Sequence, residues 1–148
     1  MTALNLAKPE DFDRLAPLVR AFHEEAGIAQ DETRRHAALM PLLEGSPHGA
    51  IYLIGPGRAP IGYIVISFGW SVEFAGLDGF VDELYIRPGV RGRGIGTEVM
   101  GALPKALAGA GLKALHLEVR RDNPRARKLY EKLRFLPRDE YSLLTREM

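Results

Sequence analysis

The sequence predicts a mixed α/β (α+β) fold: one sheet with helices on both faces. Three observations carry this. Strand-like and helix-like patterns interleave in the order β-α-α-β-β-β-α-β-α-β, which suits a sheet with helices packed against it. The 148 residues are enough for one domain with a sizeable core. No repeat, low-complexity run or linker divides them, so residues 1–148 read as a single domain.

The elements follow in order. Ala3–Ala7 reads as a short strand. From Pro9 to Gly27, Phe12, Leu15, Leu18, Val19 and Phe22 recur at helical spacing, with acids in the first turn and Gly27 as a stop. Pro17 falls inside that pattern and should kink the helix or delay its start. A weaker helix spans Asp31–Gly45, interrupted by Pro41. Ala50–Ile54 and Ile61–Trp70 read as strands joined by the turn-forming GPGRAP. Ser71–Gly79, with two glycines and an aspartate, reads as a loop, and Phe80–Ile86 as the next strand. A helix is expected from about Gly94 to Ala110, with Gly111 behind it as a C-terminal signal. Lys113–Arg120 is the next strand. Asn123 is a candidate cap for a helix with Pro124 at its first position. Tyr141–Glu147 closes the pattern as a strand.

Composition narrows the function. Hydrophobic residues are 46% and charged residues 26%, ordinary globular usage. The net charge of +1 gives no excess that points to nucleic acid or a membrane surface. With no cysteine, disulfides, thiolate metal sites and a cysteine nucleophile are excluded. Acids in the first fifteen residues fill the place of a signal peptide's apolar run, and no apolar stretch is long enough to span a bilayer. The expectation is a soluble, cytoplasmic protein. His23, His36, His48 and His116 lack metal-ligand spacing; they read as structural or exposed, and no metal is expected.

The informative stretch is VRGRGIGTE, Val90–Glu98. A helix start leaves backbone N–H groups without partners and carries partial positive charge. Glycine removes the Cβ that would block an approaching phosphate, and Arg91 and Arg93 add charge. The lysine of a P-loop is missing. The dinucleotide fingerprint fails too, because Thr97 stands where its third glycine belongs. Arg91, Gly94 and Gly96 match R-x-x-G-x-G. A plain Gly-rich turn is the structural alternative.

The run LYIRPGVRGRGIGTEVM resembles the acetyl-CoA-binding motif of the GNAT superfamily of N-acetyltransferases. Downstream, LEVRRDNPRARKLYEKLRF resembles that family's strand, N-x-x-A-x-x-L-Y and short helix. Arg134 departs from the pattern, since the family usually has glycine there, and an altered turn is expected. Pro104 is a second departure, expected to kink the second half of the glycine-loop helix. The acid–acid–aromatic strand containing Asp82 and Glu83 is also similar to that of the diamine acetyltransferase branch.

The resemblance implies a sheet splayed between its fourth and fifth strands, with acetyl-CoA as co-substrate. It implies that backbone amides of Arg91, Gly92, Arg93, Gly94, Ile95, Gly96 and Thr97 hold the pyrophosphate. The strand edge at Leu84, Tyr85 and Ile86 would bond the pantetheine arm, which Asn123 would also contact. Arg125 and Lys128 read either as contacts to adenosine phosphates or as a solvated basic helix face. Tyr130 would protonate the departing thiolate, a weak acid with a pKa near 10; its alternative is a packed helix tyrosine.

Most of an acceptor amine is protonated at neutral pH, so a carboxylate must take its proton. Asp82 and Glu83 are both candidates, and strand alternation would send them to opposite faces. Glu73, with Glu24, Glu25 and Asp78, suggests an acidic mouth for a cationic acceptor, with Trp70 and Phe74 lining it; solvated acids and core aromatics are the alternatives. The expected activity is transfer of acetyl from acetyl-CoA to a primary amine of a small cationic molecule, by direct attack in a ternary complex. A protein or peptide amine acetyltransferase and a non-catalytic acyl-CoA sensor of the same fold are the alternatives. A homodimer is one outcome of an oligomeric state that the sequence leaves open.

Overall fold

A computed structural model describes residues 2–148. The chain forms two compact units, one ending at Glu118 and one running from Val119 to Met148. In the larger unit, five strands form one sheet in the order β1-β2-β3-β4-β5: β1 (Leu4–Leu6), β2 (Gly49–Ile54), β3 (Gly62–Ser71), β4 (Gly76–Ile86) and β5 (Ala114–His116). Neighbours are antiparallel except β4 and β5, which are parallel. The helices of this unit are α1 (Phe12–Ala26), α2 (Glu32–Leu43) and α3 (Ile95–Gly109). No helix among the described residues is long and apolar enough to cross a membrane.

Helix α1 ends where Gly27 turns left-handed, with φ 72°. It buries Leu15, Leu18, Val19 and His23 on one stripe. Asp31 caps α2 by accepting from the Arg34 amide at 2.8 Å. Both helices run through their prolines, Pro17 and Pro41. Each ring removes one backbone bond, and apolar packing outweighs that loss. The side chains of α1 and α2 close over Ile51, Leu53, Tyr63, Val65 and Tyr85 to form a core on one face of the sheet. Alternation turns Ile64 and Ile66 to the other face, where they are fully buried. The apolar stripe of α3, Val99, Met100, Leu103 and Leu107, supplies the cover there. Burying each such side chain stabilises the fold by roughly 1.5–3 kcal/mol. Pro104 does not interrupt α3.

Three sequence expectations are corrected. The segment Ser71–Gly79 is mostly strand: β3 reaches Ser71, β4 starts at Gly76, and only residues 72–75 turn. Its glycines serve close packing. A Cβ on Gly79 would lie 3.2–3.3 Å from Ile66, Leu112 and Leu115. The strand expected over Lys113–Arg120 is formed only at Ala114–His116. The strand expected at Tyr141–Glu147 is absent. The smaller unit has one regular element, α4 (Pro124–Lys132), and Tyr141, Leu143 and Leu144 are exposed. Alternating sequence without a neighbouring edge has no ladder to join. Arg134 keeps the left-handed turn that a glycine would favour, at φ 72°.

Gly62 marks the tightest approach in the sheet: a Cβ there would lie 2.1 Å from the Tyr85 carbonyl oxygen. Gly62→Ala should lower stability by about 1–3 kcal/mol in denaturant unfolding, the usual cost of forced overpacking. Gly57→Ala, in open space, should leave stability nearly unchanged.

Candidate active site

The site begins with an incomplete pairing. Strand β4 pairs with β3 from Gly76 to Ile86. It pairs with β5 only through Asp78, Gly79 and Phe80. Beyond Phe80 the β5 side of β4 has no neighbouring strand among the described residues, so Leu84, Tyr85 and Ile86 border an open wedge. The glycine loop follows directly. Gly92 and Gly94 both have φ of 77°, which leaves α3 with a glycine N-cap and no side-chain cap. The amides of Gly92, Arg93, Gly94, Ile95, Gly96 and Thr97 make no hydrogen bond among the described residues. Six consecutive donors at a helix N-terminus, with open space at Gly92 and Gly94, suit a phosphate group.

A β-bulge sets the chemistry of the other face. Glu83 pairs with Val65 and Val81 with Ile66, so Asp82 is an extra residue that breaks alternation. Asp82 and Glu83 are therefore not sent to opposite faces. Glu83 points toward α1 and accepts from the Tyr63 hydroxyl at 2.7 Å. Its other oxygen lies 2.7 Å from His23 Nε2. Asp82 is exposed and makes no hydrogen bond or ion pair among the described residues. Partial desolvation, then the charges of Glu83 and Glu118, raise its pKa above the ordinary aspartate value, with His23 acting in the opposite sense. Burial and Glu83 push the Tyr63 hydroxyl far above the usual tyrosine range, so it remains a neutral donor.

The acetyltransferase (GNAT) family profile matches residues 13–135. The chain belongs to this family. An integron cassette protein from the mobile metagenome of Cole Harbour Salt Marsh is 30% identical, with a TM-score of 0.83 over 98% of this chain and 90% of that chain. Two more distant structures share the fold. A ribosomal-protein-alanine N-acetyltransferase from Brucella melitensis biovar Abortus 2308 is 19% identical, with a TM-score of 0.75 over 100% and 99% of the two chains. An aminoglycoside acetyltransferase from an uncultured soil metagenomic sample, in complex with sisomicin, is 12% identical, with a TM-score of 0.76 over 99% and 95%.

GNAT membership implies acetyl-CoA as the acyl donor. The free amides and the open β4 edge fit such a molecule: the former suit a pyrophosphate and the latter an amide-bearing arm. Arg91 departs from the expected role. Its amide donates to the Pro88 carbonyl, its Nε to the Ile86 carbonyl at 2.8 Å and its NH2 group to Glu25 at 2.8 Å. Its guanidinium lies over the Tyr85 ring. Arg93 is exposed and has no ion pair among the described residues.

The expected acidic mouth is only partly assembled. Glu24 pairs with Arg20, and Glu25 with Arg91. Asp78 lies 3.3 Å from His116, the residue of β5 whose pairing with Phe80 is the last before β4 and β5 part. Glu73 is in the exposed hairpin turn, and Phe74 packs its ring 5.7 Å from His116. Trp70 is 75% exposed, and the alternation of β3 turns it to the face opposite Tyr63 and Val65, away from Asp78 and Glu83. In the smaller unit, Asn123 commits its side-chain oxygen to capping α4 at the Ala126 amide. Arg125 and Lys128 are exposed. Tyr130 is half-buried, edge-on to Phe135, and burial raises its pKa.

Sequence reasoning missed His23, Tyr63 and Glu118. The first two lie 60 and 20 residues from Glu83, and only the bulge register brings them to it. His23 read as structural or exposed from the sequence, and the structure puts it on the buried stripe of α1, where a polar ring calls for a polar partner.

Gly94→Trp should abolish acetyl-CoA binding measured by calorimetry, by filling the space in front of the free amides. A folded variant, checked by its thermal melt, that binds with parental affinity would remove the loop from the cofactor site.

Proposed function

We propose that the protein is a single-domain N-acetyltransferase that moves an acetyl group from acetyl-CoA to a primary amine of a small cationic acceptor. The observation that carries the acceptor class is the acid grouping on the α1-facing side of the splayed strands. Asp82 and Glu83 follow the point where β4 leaves β5, Glu118 lies near enough to act on Asp82, and Asp78 stands on the paired stretch before them. Attraction of an exposed ammonium to one carboxylate is worth only about 1 kcal/mol at contact distance in water, so useful selection needs several. The fold does not choose the acceptor, since it serves an aminoglycoside enzyme and a ribosomal-protein-alanine enzyme alike. The acid–acid–aromatic run on β4 leans toward the diamine branch, a small dication being the acceptor such a wall would favour.

Acetyl-CoA supplies an activated thioester. The amides of Gly92–Thr97 bind its pyrophosphate, and the edge at Leu84–Ile86 bonds its pantetheine arm and polarises the thioester carbonyl. Asn123, through its remaining amide group, contacts the same arm. Asp82 or Glu83 takes a proton from the acceptor ammonium, and the neutral amine attacks the carbonyl carbon directly. Tyr130, kept protonated by its burial, gives a proton to the sulfur as the carbon–sulfur bond breaks.

Two experiments test this. In a panel of amines with acetyl-CoA, read by free thiol release, cationic acceptors should outperform neutral and acidic ones; the reverse ranking overturns the acceptor class. Tight acetyl-CoA binding without turnover on any amine would favour the sensor reading. Tyr130→Phe should lower kcat by roughly 10²-fold, the low end of general-acid contributions, with acetyl-CoA affinity within a few-fold of the parent. Equal turnover would leave Tyr130 as packing.

A further inference from the structure

The phosphate loop lacks the bonds that usually fix a turn. The Arg91 amide donates to the Pro88 carbonyl and the Glu98 amide to the Gly94 carbonyl. Between them no backbone amide is engaged among the described residues. Gly92 and Gly94 both sit at φ 77°, and glycine loses more freedom than any other residue when it is held in one conformation. Left to itself, such a loop would spread its six free donors over many arrangements, and ordering them on a phosphate would weaken binding.

Arg91 enters this stretch, and its side chain is held at three points. Nε donates to the Ile86 carbonyl at 2.8 Å, an NH2 group donates to Glu25 at 2.8 Å, and the guanidinium lies 5.5 Å from the centre of the Tyr85 ring. Each partner stands on fixed ground. The Arg87 amide donates to Ile61 on the β3 side, so the carbonyl of the same trans peptide, that of Ile86, points the other way, into the wedge. Tyr85 is buried in the core and its ring packs against Phe22 of α1. Glu25 stands in the last turn of α1, two residues after buried His23. A guanidinium suits these contacts together. Its planar fork sends Nε–H and NH2 to different acceptors and lays a flat face on a ring, whereas an ammonium is a point charge on a flexible stem.

We propose that the Arg91 side chain is a positioning residue, a clamp that ties the entry of the phosphate loop to the edge of β4 and, through Glu25, to the core-anchored end of α1. The clamp rests on the reading of the protein as an acetyl-CoA-dependent transferase. Glu25 then supports the cofactor side of the site rather than the acceptor mouth.

The alternative is that Arg91 acts by its charge, swinging out to a phosphate. The two roles give Glu25 opposite signs. If Arg91 acts by charge, removing the Glu25 carboxylate releases it and takes away a nearby negative charge, so acetyl-CoA binds more tightly. If Arg91 is a clamp, removing that carboxylate loosens the loop, so acetyl-CoA binds less tightly.

The test is calorimetry of acetyl-CoA on the full chain. Glu25→Gln should raise Kd roughly two- to five-fold, the upper reach of an exposed ion pair. Arg91→Ala should raise it roughly ten-fold, since a hydrogen bond is lost as well, and Arg91→Lys should do nearly as badly. In the Arg91→Ala background, Glu25→Gln should have no further effect. Tighter binding in Glu25→Gln, or parental affinity in Arg91→Lys, would overturn the clamp. A second readout needs no ligand: nitrogen-15 relaxation of the Gly92–Thr97 amides in the free protein. These amides should move more in Glu25→Gln and in Arg91→Lys than in the parent, with the amides of α1 unchanged. Unchanged relaxation in the loop would refute the clamp even in a protein that binds acetyl-CoA. Loosened loop amides in the variants of a protein that binds no acetyl-CoA would sustain the clamp and refute the transferase reading alone.

Discussion

Strand β4 must satisfy two neighbours that ask different things of it. On one edge it completes a ladder with β3 down to Ile86. On the other it keeps β5 for three residue pairs and then loses it. An unpaired buried edge is costly in backbone hydrogen bonds, so such a gap persists only where something else can fill it. The wedge, the loop that leaves it at Arg87 and the start of α3 all descend from this one departure. Arg91 already meets part of the demand by donating to the Ile86 carbonyl.

The bulge at Asp82 is the second consequence of the same strand. An extra residue in β4 increases local twist and resets parity. Without it, Glu83 would share the face of Ile64 and Ile66 and its charge would be aimed into an apolar layer. With it, Glu83 meets two polar groups that can satisfy it, and the Tyr63 hydroxyl and His23 Nε2 gain a partner in the core while His23 Nδ1 stays buried without one. Breaking one member of such a cluster leaves the others unsatisfied, which costs more than the bond itself was worth.

This also explains what the sequence could and could not reveal. The turn into α3 was legible because its cause is local: the glycines and the helix start lie within nine residues. The helices were legible from periodicity, and their prolines misled only about continuity. The segment Ser71–Gly79 misread as loop because glycine carries two meanings. At Gly79 it permits close packing rather than a turn. The tail strand misread because alternation in Tyr141–Glu147 says nothing about whether an edge is available. Strict alternation put Asp82 and Glu83 on opposite faces, and the bulge that breaks it leaves no mark in a one-dimensional pattern. Arg134 likewise holds a left-handed turn that its side chain gives no hint of.

Charge placement ties the two sides of the site together. The amides at the start of α3 and exposed Arg93 present positive potential on the loop. Asp82 and Glu118 present negative potential in the wedge beyond β5. Here Glu25 is occupied by Arg91, Glu24 by Arg20, and Asp78 by His116. Among the described residues Asp82 and Glu118 have no such partner. In water each free carboxylate contributes little, but a wall with Tyr63, Phe22 and Tyr85 behind it excludes part of the solvent that would screen them. The same exclusion of solvent raises the pKa of Asp82, so the packing behind the strand and the ionisation of the acid on it follow from one arrangement.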